Sequence, residues 1–430
     1  MNSILLEPTD VLFFRDSIPM AAGQGRGHGC RLPWPSTLHE AFRSTLLLAD
    51  GDLRSSKAEQ GRDLRVRSGR ERQRGLAAPV SENRRQRGPT SVANTAYQSL
   101  RTMGPLPWLE PDARKPDDSG GLFLPVPLDA QVDDDGQIHP LELLRQENGH
   151  SSVAQLPCLP VSPVPATKRS RLGWWSTRQF ASYLAGHDVG FTPLPDSAFW
   201  EPEHRIGVEI TPQTFAAAQG QLYAGTYLRP RNEFRLAAWA GLVRPRADEE
   251  ARFNRLITHY RFLLLGGDRR LARITPHKGF TLPEPPVAPN ASPCLLKWSL
   301  ITSAVFAHGW LPGWCQDTSA QQRPAGEVCL KLSGRARLVA VCLGKAVAFA
   351  GWDAVDGTPK ETRLAVPAGS VYYFLCENGK TAEALAQRLH WQPRSDFFGE
   401  KGCGYGLVSF DARMHQSSVL VEALAKEVFS

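Results

Sequence analysis

The sequence predicts an α+β protein of two related domains, and three observations carry that expectation. The chain opens on a strand, a glycine-rich loop and a capped helix, the start of a βαβ-type unit. The second half repeats this coarse plan of strands, a helix and a glycine-rich turn. Between the halves, five prolines (283, 285, 286, 289 and 293) fall within eleven residues, which marks a linker over 283–293. The expected domains are therefore 1–282 and 294–430, the first with long insertions.

Residues 3–14 read as a strand interrupted by a turn at Pro8-Thr9. The stretch Gly23–Gly29 follows, and then Pro33-Trp34-Pro35-Ser36-Thr37. Ser36 has the chemistry of an N-cap for a helix from Thr37 to about Ala49, with Leu38, Ala41, Phe42, Thr45 and Leu46 on one face. Residues 50–100 are polar, Arg-rich and almost free of aromatics, so they are expected to be flexible. The proline-dense stretch 104–170 reads as loops and extended segments, with short strands near Leu122–Pro127 and Ala154–Pro160.

A helix is expected over Thr177–Leu184, then an alternating strand pair, Glu203–Ile210 and Gly220–Arg229. Phe234–Leu242 should continue that sheet. A short helix over Asp248–His259 and a buried strand over Arg261–Leu265 lead to Gly266-Gly267-Asp268-Arg269-Arg270. After the linker, strands are expected at Cys294–Ser303, Val328–Leu332, Leu338–Ala350 and Gly369–Cys376. A helix over Thr381–Arg388 precedes the second glycine-rich turn, 399–406, and a strand over Leu407–Phe410.

With 430 residues, 42% of them hydrophobic, the chain can bury one large or two ordinary cores. No apolar run approaches the roughly 18 residues of a membrane span, and the N-terminus lacks a basic-then-apolar leader pattern, so a cytoplasmic protein is expected. Eight cysteines are scattered singly without a CxxC or CxH pair; no metal is expected, and most should be small buried residues. Net charge is +7. From Arg54 to Arg87 eleven Lys and Arg face four Asp and Glu, a surplus of seven that equals the charge of the whole chain. The basicity is thus one segment, either a solvated loop or an arm that orders on a polyanion.

Three groups of residues carry a resemblance. The first is Leu12-Phe13-Phe14-Arg15-Asp16 with the glycine stretch and Pro33–Thr37. The second is Gly207–Ile210, Gly220–Tyr223 and Leu264–Arg270. The third is Gly402-Cys403-Gly404-Tyr405-Gly406. In this order they resemble the repeat-associated superfamily of CRISPR proteins, and within it the third subunit of the type III-B Cmr effector complex. The sequence departs from that pattern at Trp34, where proline is more usual, and at Glu40, where glycine is more usual.

The resemblance implies two ferredoxin-like (RRM-like) domains with a C-terminal glycine-rich loop lying on the sheet. It also implies a non-catalytic subunit that needs no cofactor, holds the 5′ repeat-derived handle of the guide RNA, and contacts the large Palm-domain subunit and the backbone subunits.

The candidate RNA-binding residues are Arg15, Arg26, His28, Ser36, Arg269, Arg270, Lys401, Gly402, Gly404, Tyr405 and Gly406. Glycine amides at 402–406 can cradle a phosphate, Lys401 adds a cation and Tyr405 a stacking ring; the structural alternative is a turn that needs positive φ. Arg269 and Arg270 suit bidentate phosphate contacts; the alternative is that Asp268 pairs with one of them. Arg15 can contact RNA while Phe14 packs in the core. A competing reading is a metal-independent endoribonuclease that processes guide precursors, with His28 as general acid or base.

Overall fold

The computed structural model describes residues 1–14, 26–27, 32–49, 97–111, 120–146, 156–165, 173–187, 192–211, 213–268, 270–284, 287–290, 292–316, 326–350, 352–353, 358–359, 361–410 and 418–429. The Arg-rich segment 54–87, Arg15, His28 and Arg269 lie outside them, as does the side chain of Arg26.

The architecture is α+β. The first half contributes β1 (Asn2–Pro8), α1 (Pro35–Ala49), β2 (Leu100–Leu109), β3 (Gly121–Pro125), β4 (Trp174–Ser176) and α2 (Thr177–Leu184). The long hairpin β5 (Trp200–Ile210) and β6 (Ala217–Pro230) follows, then β7 (Phe234–Leu242), α3 (Ala247–Arg255), β8 (Phe262–Leu264) and β9 (Leu271–Pro276). The second half contributes β10 (Cys294–Leu300), β11 (Cys315–Gln316), β12 (Glu327–Val328), β13 (Ala336–Cys342), β14 (Val371–Cys376), α4 (Gly379–Leu389), β15 (Gly406–Ser409) and α5 (Ser418–Phe429).

The strands form a seven-stranded sheet in the order β8-β9-β1-β7-β2-β3-β4 and a six-stranded sheet in the order β11-β12-β13-β14-β10-β15. All neighbours in both are antiparallel. Within the first, β1, β2, β7 and β9 lie in the spatial order fourth-first-third-second, with α1 and α3 as crossovers. Strands β10, β13, β14 and β15 repeat the same order, with α4 before the last strand. Among the described residues no helix lies between β10 and β13.

Alternation decides which face each strand buries. Ile4 and Leu6 of β1 join Leu38, Phe42 and Leu46 of α1 and Phe253 of α3 in one core. Leu5 points to the opposite face, where Met103, Leu106 and Trp239 meet Ile301, Tyr405 and Leu407 of the second half. Both faces of the first sheet are therefore covered, one of them by the other half of the chain. In the second half, α4 covers one face of the six-stranded sheet. Helix α5 covers the other with Val421, Leu424 and Val428.

A buried ion pair reinforces the joint. Lys297 Nζ of β10 lies 3.1 Å from Asp129 Oδ2, and both side chains are 1% exposed. Tyr183 and Tyr373 donate their hydroxyls to the same carboxylate at 2.5 and 3.0 Å. Both carboxylate oxygens are thus satisfied, the condition under which such a pair is tolerated away from water.

Several expectations need correction. Ser36 is the second residue of α1 and not its cap. The Trp34 carbonyl accepts from Thr37 N at 2.8 Å, and Pro35 begins the helix, where its missing N–H costs nothing. β7 does not extend the β5–β6 hairpin; it lies in the seven-stranded sheet between β1 and β2, while the hairpin pairs with Arg26–Gly27. β8 is an edge strand buried on one face only: Leu263 and Leu265 lie in the core, while Phe262 is exposed.

Five of these elements, β2, β4, β9, β11 and α5, have no counterpart among those expected from the sequence, and two of them matter most to the packing. β2 begins inside the stretch expected to be flexible and runs into prolines, yet it is central to the sheet. Pro105 falls where the β2–β7 register shifts, and such an irregularity accommodates a residue that cannot donate to the ladder. Helix α5 carries its buried residues at spacings of three and four, a legible helical stripe that was overlooked.

Candidate nucleic-acid interface

The C-terminal glycine loop is a packed joint. It is entered through a 3₁₀ turn at Gly399–Lys401 and closed by β15. The amides that a phosphate would need are already used. Gly402 N donates to Gly399 O at 3.1 Å, Cys403 N to Phe398 O at 3.1 Å, Gly404 N to Ser303 O at 3.0 Å and Tyr405 N to Thr302 Oγ1 at 3.0 Å. The glycines are required by geometry. Gly402 and Gly404 have φ of +97° and +77°. A Cβ on Gly404 would sit 2.3 Å from Ser395 N, and one on Gly406 would sit 2.2 Å from Trp298 Nε1.

The side chains of this loop are equally committed. Lys401 is 4% exposed, and its Nζ lies 2.6 Å from Glu40 of α1, the position where the sequence departs from the resemblance. Tyr405 is 5% exposed and stacks edge-on against Trp391 at 6.1 Å; burial pushes its hydroxyl up to about 12. Neither the free cation nor the open ring expected here is present. Beside them His39, also buried, is held neutral: burial first, and then the Lys401 charge, lower its pKa to about 3. Its Nδ1 lies 3.2 Å from Thr102 Oγ1.

A second set of residues remains open to solvent at the base of the β5–β6 hairpin. The Gly266–Asp268 turn is wedged on the segment after β1: Gly267 N donates to Phe13 O at 2.8 Å, and a Cβ on Gly266 would meet that same oxygen at 2.4 Å. Asp268 accepts a short hydrogen bond from the Tyr227 hydroxyl, and among the described residues no arginine forms an ion pair with it. Tyr227 stacks on Phe13 with ring centroids 4.6 Å apart. The guanidiniums of Arg205 and Arg270 lie 4.9 and 5.3 Å from the Tyr227 ring centroid, within cation–π range.

Three arginines meet two carboxylates here. Arg270 Nη1 lies 3.0 Å from Asp10 Oδ2. Arg205 Nη2 and Arg229 Nη1 lie 3.8 Å from Asp10. Arg205 Nε donates to Glu203 Oε1 at 2.6 Å and Arg229 Nε to Glu203 Oε2. The hydrogen bonds from Arg229 and then Arg205 hold the Glu203 carboxyl below its usual pKa. Of the expected RNA-binding residues with described side chains, Arg270 and Ser36 are outside the glycine joint, and only Arg270 joins this cluster. Arg205 and Arg229 were overlooked because each is an ordinary strand residue; only the cross-strand register, His204 against Thr226 and Glu203 against Tyr227, brings them together.

Among the described residues there is no group of three or more His, Cys, Asp and Glu that could hold a metal ion, and no helix long and apolar enough to cross a membrane.

The family model described as CRISPR-associated protein (Cas_Cmr3) matches residues 4–410. No curated protein sequence matches the chain. Among solved structures, a chain of the type III-B Cmr-beta complex bound to cognate target RNA and AMPPnP is similar over 86% of both chains, with 11% identity and a TM-score of 0.42. The same figures hold for the type III-B Cmr-beta complex bound to cognate target RNA. A chain of the Csm3-Csm4 subcomplex of a type III-A CRISPR-Cas interference complex is 9% identical, with a TM-score of 0.34, over 86% of this chain and 92% of that one.

Proposed function

The chain belongs to the CRISPR-associated Cas_Cmr3 family, and from that premise we propose that it is a non-catalytic RNA-binding subunit of a type III-B effector complex. In this reading it holds the 5′ handle of the guide RNA and contacts the large Palm-domain subunit and the backbone subunits. The observation that carries the reading is the family match over residues 4–410. Two further features support it. The repeated fourth-first-third-second strand order is what two ferredoxin-like domains would produce, a sheet type widely used to bind single-stranded RNA. The arginines at the hairpin base suit phosphate contact, which positions RNA without reading its sequence.

Arg270, which lies outside the glycine joint, is a proposed contact, and Arg15, Arg26 and His28 are proposed contacts from the sequence. The joint itself acts through the backbone, by fixing how the two halves meet. Handle-RNA binding by the whole chain, against a scrambled RNA of equal length and charge, tests the reading. Preference for the handle is expected; equal affinity for both, within the assembled complex as well, overturns handle recognition. RNA cleavage by the assembled complex should be unchanged by His28→Ala; loss of cleavage with assembly intact overturns the non-catalytic role.

A further inference from the structure

We propose that Arg205, Arg229 and Arg270 form a phosphate subsite for single-stranded RNA, in which the Asp10 carboxylate stands in the phosphate's place until RNA displaces it. The inference rests on the RNA-binding reading and names one of its contacts. The geometry shows an anion position that the protein fills incompletely. Among the described residues, only Arg270 hydrogen-bonds the Asp10 carboxylate, at 3.0 Å. The nearest nitrogens of Arg205 and Arg229 lie 3.8 Å away, within ion-pair reach but beyond a hydrogen bond.

The three cations are held ready for a larger anion. Glu203 accepts from Nε of both Arg205 and Arg229, which fixes the two guanidiniums while their Nη ends face Asp10. The Tyr227 ring lies under Arg205 and Arg270. Arg270 Nε is buried with no hydrogen-bond partner among the described residues, a donor still lacking an acceptor. A phosphodiester is bulkier than a carboxylate and carries its oxygens tetrahedrally, so it can reach donors that a planar group on a short side chain leaves at 3.8 Å. Exchange is feasible because Asp10 and Arg229 are 45% and 51% exposed, and an exposed pair is weakly held. Asp10 would thereby limit binding of RNA that makes no other contact.

The test titrates a short fluorescent single-stranded RNA with the whole chain at two salt concentrations. Asp10→Asn should tighten binding by about three- to tenfold, and Asp10→Ala, with folding verified by its melting temperature, should act in the same direction. Arg229→Ala should weaken binding and lower the salt slope by roughly 0.7, the share of one single-strand phosphate contact. In the Asp10→Asn, Arg270→Ala double variant the gain should vanish, since the two changes act on one site. Glu201→Gln is the charge-matched control: it removes a carboxylate from the hairpin that carries Arg205 and Arg229, one paired with Arg231 at 2.6 Å. Equal tightening by Glu201→Gln and Asp10→Asn reduces the effect to net charge and overturns the subsite. So does a gain confined to inorganic phosphate as competitor, with RNA affinity unchanged. If the parent binds RNA and Asp10→Asn binds identically, this inference fails and the RNA reading stands; if no form of the chain binds RNA, both fail.

Discussion

Two basic side chains reach carboxylates far away in sequence, and they end in opposite environments. Lys401 meets Glu40 at the joint between the halves, with the lysine side chain 4% and the carboxylate side chain 33% exposed. Arg270 meets Asp10 at the foot of the hairpin, with the arginine side chain 22% and the carboxylate side chain 45% exposed, so both partners are the wetter ones. In sequence both lie in glycine-containing turns, Lys401 before Gly402 and Arg270 three residues after Gly267, and both suggest phosphate binding. The structure separates them by one quantity, the water left around the pair. In the joint the charges serve to satisfy each other, since an unpaired buried charge is costly. At the hairpin foot, water already competes for the ions, so a stronger anion can compete as well.

The comparison breaks most directly at Gly404. Gly404→Val forces a β-branched residue to φ of +77° and places its Cβ 2.3 Å from Ser395 N. Strain and overpacking together should cost about 3 kcal/mol or more, read as a large drop in the urea midpoint. A near-parental midpoint would show that the loop is not packed as described, and would reopen it as a phosphate cradle.

Acid should sharpen the same contrast. His39 has its folded-state pKa lowered to about 3 by burial and by Lys401, below the ordinary value of 6.5. The unfolded chain therefore binds a proton that the folded chain refuses between those values. The contribution is present above about 6.5 and is lost as pH falls toward 3, with a slope approaching about 1.4 kcal/mol per pH unit. His39→Gln should flatten the acid limb of the stability profile. An unchanged limb would mean that this ring is not held neutral in the joint.

The smallest expected effect on stability is that of Arg270→Ala. Its ion pair is partly exposed, so the loss should be about 0–1 kcal/mol, with some added from the contact to Tyr227. RNA affinity should fall all the same. A stability loss as large as that of Gly404→Val would make Arg270 a structural residue and erase the distinction between the two regions.

Much of the fold was open to reading from one dimension. The amphipathic stripe of α1, the helix α2, the β5–β6 hairpin and the main strands after the proline-rich stretch 283–293 all rest on local periodicity, which needs no tertiary partner. β2 escaped because its prolines argue against a central strand, and the register shift that makes room for Pro105 is set by its partner β7. Of the site, the family resemblance and Arg270 were legible.

The exposure of Lys401 and Tyr405 was not, because a glycine-rich turn has the same local sequence whether it faces solvent or a second domain. Nor could spacing pair Asp10 with Arg270, 260 residues apart, or bring Arg205 and Arg229 toward one carboxylate. Local sequence sets which backbone shapes are cheap; the packing of one half against the other sets which side chains water can reach. Among these residues, that second choice decides between a charge that serves the fold and a charge that can meet a ligand.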